Sequence, residues 1–202
     1  MKAAAIILSG GKSSRMGTNK ALLKINEKTN IERLIETLKV HFDDIILVTN
    51  EPEHYQFLGV KLVADHYPNK GPLAGFHAGL TASSYDVNFI VACDMPFVTG
   101  ALAETLVNNI NHYDAVVPVI NGKIQTLCAV FQKSTVKKIE ECIENGRLPI
   151  KHLLDHLNVL SLSEKELQAY SNGDIERVFF NMNYPHEYEE AKRWFEANQQ
   201  GR

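Results

Sequence analysis

Four short apolar runs occur at residues 3–8, 45–49, 88–92 and 114–119. They are continuous rather than alternating, which suits strands buried on both faces. Between them the spacing becomes helical. Ile31, Leu34, Ile35, Leu38 and Phe42 fall on one face of a helix, as do Leu102, Leu106 and Ile110, and then Val136, Ile139 and Ile143. Strands alternating with one-sided helices predict βαβ crossovers. The expected fold is therefore α/β: a single-domain, Rossmann-like, three-layer arrangement over residues 1–202, with a mostly parallel sheet and helices on both faces. Ligands of such a sheet bind beyond the carboxyl ends of its strands.

A shorter strand at 61–64 and an antiparallel pair, 114–119 with 128–132 joined through Asn121-Gly122, make the expected sheet mixed. The last helix is expected over about 185–197: Pro185 suits a first turn, and Tyr188, Ala191 and Phe195 then share a face. No repeat, linker or low-complexity tract interrupts the 202 residues.

Composition, 45% hydrophobic and 22% charged, is that of an ordinary globular domain. With 21 basic against 24 acidic side chains, the net charge of −3 creates no global field to gather nucleic acid or an anionic membrane. Any phosphate recognition must then be local. Cys93, Cys128 and Cys142 form no C-x-x-C pair, which points to neither a disulfide framework nor a zinc site and fits a reducing cytoplasm. The first apolar run is too short for a signal peptide and meets Gly10-Gly11 without a cleavage site, and no other stretch approaches transmembrane length. The expectation is a cytoplasmic protein with neither nucleic acid nor membrane as partner.

The chemistry begins after the first strand, at Leu8-Ser9-Gly10-Gly11-Lys12-Ser13-Ser14-Arg15-Met16-Gly17-Thr18-Asn19-Lys20. Glycines here permit close backbone approach, so that consecutive N–H groups can face one anion. Arg15 can fork across two phosphate oxygens and Lys20 supplies a point charge, a pair suited to a triphosphate whose pyrophosphate departs. Gly11-Lys12-Ser13 is not a Walker A ending, because Ile6 stands where its first glycine belongs. The G-x-G-x-x-G fingerprint fails too, since Gly10 and Gly11 are adjacent.

The run 88–92 delivers Cys93-Asp94-Met95-Pro96 to the same edge. Beside a nucleoside triphosphate, a carboxylate there would hold Mg²⁺; the alternative is a helix cap before Pro96. Asp65 follows the 61–64 strand and is equally a turn cap or a ligand contact. The glycines of 71–75 lead into a helix whose first N–H groups could read a base and ribose. His66 and His77 lack metal-ligand spacing, and Cys93 is given no chemistry.

These residues carry a resemblance. Leu8-Ser9-Gly10-Gly11, Ser14-Arg15-Met16-Gly17 and Lys20-Ala21-Leu22-Leu23, then Asp65, Gly71-Pro72-Leu73-Ala74-Gly75 and Cys93-Asp94-Met95-Pro96, resemble the MobA-like NTP transferases in the same order. Asn181-Met182-Asn183-Tyr184-Pro185 is similar to the N-x-N-x-P segment of the MobA branch itself. The resemblance implies transfer of GMP from GTP to the phosphate of molybdenum-bound molybdopterin, with Mg²⁺. By position it implies that Leu8, Ser9, Gly10, Lys20, Asn50, Asp65 and Asp94 contact GTP, that Asp94 also holds the metal, and that Arg15 and Lys20 act with Asp94 in catalysis. Asn181 and Asn183 would lie on the acceptor side, near the pterin or the metal, and Arg147 would meet the acceptor phosphate unless it is simply an exposed helix-end arginine. Transient contact with proteins that deliver molybdopterin, or with apo-molybdoenzymes, is a further implication.

Three positions depart from the family pattern: Ser9 replaces an alanine, Thr126 a proline in a Q-P-L turn, and Tyr184 a helix-capping threonine. Two rivals remain, a cytidylyltransferase or sugar-phosphate nucleotidyltransferase with the same loop, and a nucleotide-binding adaptor without turnover.

Overall fold

Helix and strand alternate as expected in the computed structural model, which describes residues 2–10, 19–170 and 174–200. In chain order the elements are β1 (Ala3–Leu8), β2 (Lys24–Ile25), β3 (Lys28–Thr29), α1 (Asn30–Lys39), β4 (Asp44–Val48), β5 (Lys61–Val63), α2 (Pro72–Ala82), β6 (Val87–Ala92) and α3 (Gly100–Asn108). There follow β7 (Ala115–Ile120), β8 (Lys123–Ile124), β9 (Cys128–Gln132), α4 (Val136–Glu144), α5 (Ile150–Leu154), β10 (Val159–Ser163), α6 (Glu164–Leu167), α7 (Ile175–Val178) and α8 (Pro185–Gln200).

The main sheet has the order β10-β7-β9-β6-β1-β4-β5, with β8 paired to β7. Strand β1 is parallel to both neighbours, β4 and β6, and β4 is parallel to β5. Only β9 and the short arm β8 run against the others. The 61–64 strand is thus a parallel edge strand, and the mixed character comes from β8 and β9. The Asn121-Gly122 turn joins β7 to β8 rather than directly to β9. Both turn residues have positive φ, 50° and 70°, the two-residue geometry whose twist matches a tight hairpin.

Each strand feeds both faces through its pleat. Ala3, Ala5 and Ile7 of β1 face a core under α1, α3 and α7, while Ile6 faces the core under α2, α4 and α5. Burial on both sides explains why these strands read as unbroken apolar runs. Helix α1 begins where Thr29 accepts from the N–H of Glu32 and the Glu32 carboxylate returns to Thr29 N–H, a reciprocal cap. Helix α2 packs unusually close to the sheet. A methyl added at Gly79 would stand 2.4 Å from Ile6 Cγ2, and one at Gly75 would stand 3.1 Å from Leu8 Cδ2. The two glycines therefore let α2 ride directly over β1, with its first turn at the carboxyl edge. A third, small cluster seats α8 on the β2–β3 hairpin through Ile25, Met182 and Ala191, with Phe97 and Phe195 packed against them. No helix among the described residues is long and apolar enough to cross a membrane.

After β1 the chain moves outward to β4 and β5, then returns to place β6 on the other side of β1. Connections leave β1 in opposite directions at that point. A crevice therefore opens beyond its carboxyl end, where ligands of open α/β sheets bind.

Candidate functional site

Four parallel strands end at this crevice, and each delivers a residue singled out in the sequence: Ser9 and Gly10 after β1, Asn50 after β4, Asp65 after β5 and Asp94 after β6. Backbone hydrogen bonds continue the ladders past the strand ends. Ser9 N–H donates to Val48 O at 2.9 Å, Thr49 N–H to Val63 O at 2.8 Å, and Cys93 N–H to Leu8 O at 3.0 Å. The strand-end residues are thus held by the sheet itself and not by flexible loops. Asn50 and Asp65 form a reciprocal pair, with Asn50 Nδ2 donating to Asp65 Oδ2 at 3.1 Å and Asp65 N–H donating to Asn50 Oδ1 at 3.0 Å.

Lys20 and Asp94 meet although 74 positions separate their numbers. Lys20 sits in a 3-10 turn, Lys20–Leu22, capped by the side chain of Asn19. Its Nζ lies 3.9 Å from Asp94 Oδ2 and donates to Asn183 Oδ1 at 2.7 Å. Asp94 O in turn accepts the N–H of Met182 at 2.9 Å, which locks the 181–183 segment to the end of β6. Asn30, fully buried at the head of α1, donates to the carbonyl of Cys93 from below. The Lys20 and Asp94 side chains are each 19% exposed, enough to meet a ligand yet largely removed from bulk water.

Burial raises the Asp94 pKa above the usual aspartate range; Lys20 opposes the rise and the negative charge of Glu187 adds to it. Asp94 Oδ1 is buried and has no hydrogen-bond partner among the described residues. A buried, unpartnered carboxylate oxygen is costly. It is a site that a cation, or a donor borne by a ligand, would satisfy. Burial also pushes the Cys93 thiol up to about 12, so it remains a thiol at neutral pH.

Ser9 reaches the crevice edge, but its hydroxyl is engaged with the hydroxyl of Tyr55 at 2.7 Å. Asn181 lies beside the group and donates its amide to Phe179 O at 3.2 Å. Arg147 is not part of it. Its guanidinium meets the ring of His156 at 3.3 Å, and its backbone N–H donates to Cys142 O at 2.8 Å. Arg15 lies outside the described residues. His77 is a packed residue, as its lack of ligand spacing suggested: 4% exposed, bonded to Glu140 at 2.9 Å and stacked edge-on by Tyr67.

Sequence reasoning missed Tyr55, Asn19, Asn30 and Glu187. The last had a signal. With Pro185 opening α8, Glu187 stands where a capping carboxylate belongs, and it accepts the N–H groups of Asn183 at 2.5 Å and Tyr184 at 2.8 Å. The carboxylate half of a capping box therefore survives the loss of a hydroxyl at Tyr184. Nothing local in the sequence marks Tyr55 or Asn30, whose partners are 46 and 63 positions away.

A sheet that switches direction at β1, with a lysine and a carboxylate converging on its carboxyl edge, defines a nucleotide-handling α/β protein, and the chain belongs to the MobA-like NTP transferase domain family, whose model matches residues 5–164. Among its relatives, a probable molybdenum cofactor guanylyltransferase of Clostridium perfringens is 37% identical, over 96% of this chain and 98% of the relative. A molybdenum cofactor guanylyltransferase of Desulfosudis oleivorans is 36% identical, over 95% of each chain. The crystal structure of molybdopterin-guanine dinucleotide biosynthesis protein A from Archaeoglobus fulgidus superposes with a TM-score of 0.84, covering 96% of this chain and 99% of that one. At 24% identity that superposition shows the fold alone.

Proposed function

We propose that this chain, acting as one domain over 1–202, transfers GMP from GTP to the phosphate of molybdenum-bound molybdopterin and releases pyrophosphate. The observation that carries the reading is the convergence of Lys20, Asp94 and Asn183 at the switch point, with Asp94 Oδ1 buried and unpartnered. The choice of guanine and molybdopterin rests on the activities named for the relatives.

The acceptor phosphate is already anionic at neutral pH, so attack on the α-phosphorus of GTP needs no general base. Positioning and charge stabilisation supply the catalysis. Leu8, Ser9 and Gly10 present backbone to the nucleotide, Asn50 and Asp65 hold its sugar or base side, and Arg15 and Lys20 stabilise the departing pyrophosphate. Asn181 and Asn183 face the acceptor.

The residues present also fit Mg²⁺. No cluster of three or more His, Cys, Asp or Glu able to cage a metal is found among the described residues. Mg²⁺ on a nucleotide needs no cage, because one carboxylate with phosphates and waters completes its shell. Asp94 would hold it. Bound there, the ion neutralises charge on the phosphate oxygens. Arg147, engaged with His156, would meet the acceptor phosphate from outside the Lys20–Asp94 group. Transient contact with the proteins that supply molybdopterin or take up the product belongs to the same reading, as does a cytoplasmic location, where free thiols such as Cys128 and Cys142 persist.

Thermal shift with each nucleoside triphosphate and Mg²⁺ tests the donor. GTP raises Tm through binding to the native state alone, by about 2.7 kcal/mol of added stability at 100-fold excess over Kd. A shift with CTP or UTP and none with GTP would refute the guanine assignment in favour of a cytidylyl- or sugar-phosphate nucleotidyltransferase.

A further inference from the structure

Tyr55 carries a hydroxyl where its packing requires only a ring. The side chain is 1% exposed and belongs to the core under α1 and α3. Its oxygen nevertheless makes two hydrogen bonds across the fold: with Ser9 Oγ at 2.7 Å, and from Asn19 Nδ2 at 2.8 Å. These partners are the two stems of the glycine-rich segment. Ser9 is the residue leaving β1, pinned by its N–H to Val48 O. Asn19 is the residue entering the Lys20–Leu22 turn, and its Oδ1 accepts the N–H of Ala21 at 3.1 Å. A single buried oxygen therefore joins both stems to each other and to the chain after β4.

The consequence falls on Lys20. Its ammonium rides on four rotatable carbons and sits at a defined place, 2.7 Å from Asn183 Oδ1 and 3.9 Å from Asp94 Oδ2, only if the backbone beneath it is fixed. The side chain of Asn19 fixes that backbone through Ala21, and Tyr55 orients the side chain of Asn19.

We propose that Tyr55 is a positioning residue for nucleotide transfer: through Ser9 and Asn19 its hydroxyl sets the separation of the two stems, and so the place of Lys20 against Asp94. This rests on the nucleotidyltransferase reading above. The role differs from that of a core aromatic, because it belongs to one oxygen atom and not to the ring.

Tyr55→Phe removes that atom and keeps the ring. It is compared with Ser9→Ala, the double variant and the unaltered chain for Tm, donor KM and kcat, using whichever of GTP, CTP, UTP or ATP the unaltered chain accepts. A positioning role predicts a KM for the donor raised roughly 3- to 10-fold in Tyr55→Phe, the size expected for one hydrogen bond. It predicts a double variant no worse than the poorer single one, because both changes break the same link. Tm should fall by only about 2–4 °C. A lowered Tm with unchanged KM and kcat, or fully multiplicative effects of the two changes, overturns the proposal. Acceptance of a donor other than GTP would refute the guanine reading while leaving this comparison intact; a chain that accepts none of the four overturns both.

Discussion

At the scale of single residues, Asp94 is a carboxylate kept in a place that disfavours its charge. Burial raises its pKa, so the protonated form persists to higher pH than for a solvated aspartate. The sign follows for both activity and stability. Activity that needs the carboxylate falls as pH drops through the raised value, which puts the acid limb of kcat/KM above the usual aspartate range. For stability, ionised Asp94 is a net burden in the native state at neutral pH, and the burden fades as pH falls and the group takes up its proton. Asp94→Asn should therefore raise the Tm of the ligand-free protein at pH 7–8 while lowering turnover by about 100-fold or more. A variant that loses stability and keeps turnover would contradict the assignment. Of these residues Asp94 was legible because a carboxylate directly after a buried strand has few structural uses, and Lys20 because it is a charge in a glycine-rich loop; Asp65 was legible only as equally a turn cap or a ligand contact. Tyr55 and Asn30 were not, since their meaning lies in partners that only the folded sheet brings near. Ser9 was legible as a departure from the alanine of the family pattern, and the structure gives that departure a use, the bond to Tyr55.

At the scale of elements, the clearest dependence is that of α2 on its glycines. With Ile6 Cγ2 only 2.4 Å from a methyl at Gly79, Gly79→Ala must push the helix away or distort Ile6, at about 1–3 kcal/mol. Urea denaturation should show a lower midpoint with unchanged slope, and a second change, Ile6→Leu, which removes the Cγ2 methyl, should restore part of the loss; additive losses would show that the contact is not the cause. The long elements were readable because their apolar residues recur at one period. The short ones were not. Strand β10 reads Val-Leu-Ser-Leu-Ser with only Leu162 buried, and helices α6 and α7 span four residues each, too few for a 3.6-residue period to register. The β2–β3 hairpin has two residues per strand and exists because α8 covers it, a contact made across most of the chain. At the head of α8, Glu187→Gln should lower stability by about 1 kcal/mol, by weakening the bonds to the Asn183 and Tyr184 N–H groups. It should also move the acid limb of the activity profile downward, because Glu187 helps raise the Asp94 pKa. An acid limb that stays in place would separate Glu187 from the site.

At the scale of the molecule, a mostly parallel sheet with helices on both faces followed from alternation alone, and its C-terminal edge was foreseeable as the ligand side. The strand order was not, because β9 inserts between β6 and β7 against the direction of both, and periodicity carries no information about which strands become neighbours. That order matters for function. It places β6 beside β1 and so carries Asp94 to Lys20, while α8 returns the 181–183 segment to the same edge. The Lys20–Asp94 group is thereby completed from the far end of the chain, by the 181–183 segment.

The central claim, transfer of GMP to a molybdopterin phosphate, is tested most directly with GTP labelled at the α-phosphate, Mg²⁺ and molybdenum-loaded molybdopterin. The account predicts label in a pterin dinucleotide, with one pyrophosphate released for each label transferred. Binding of GTP with no pyrophosphate release, or transfer from CTP while GTP stays intact, would contradict it.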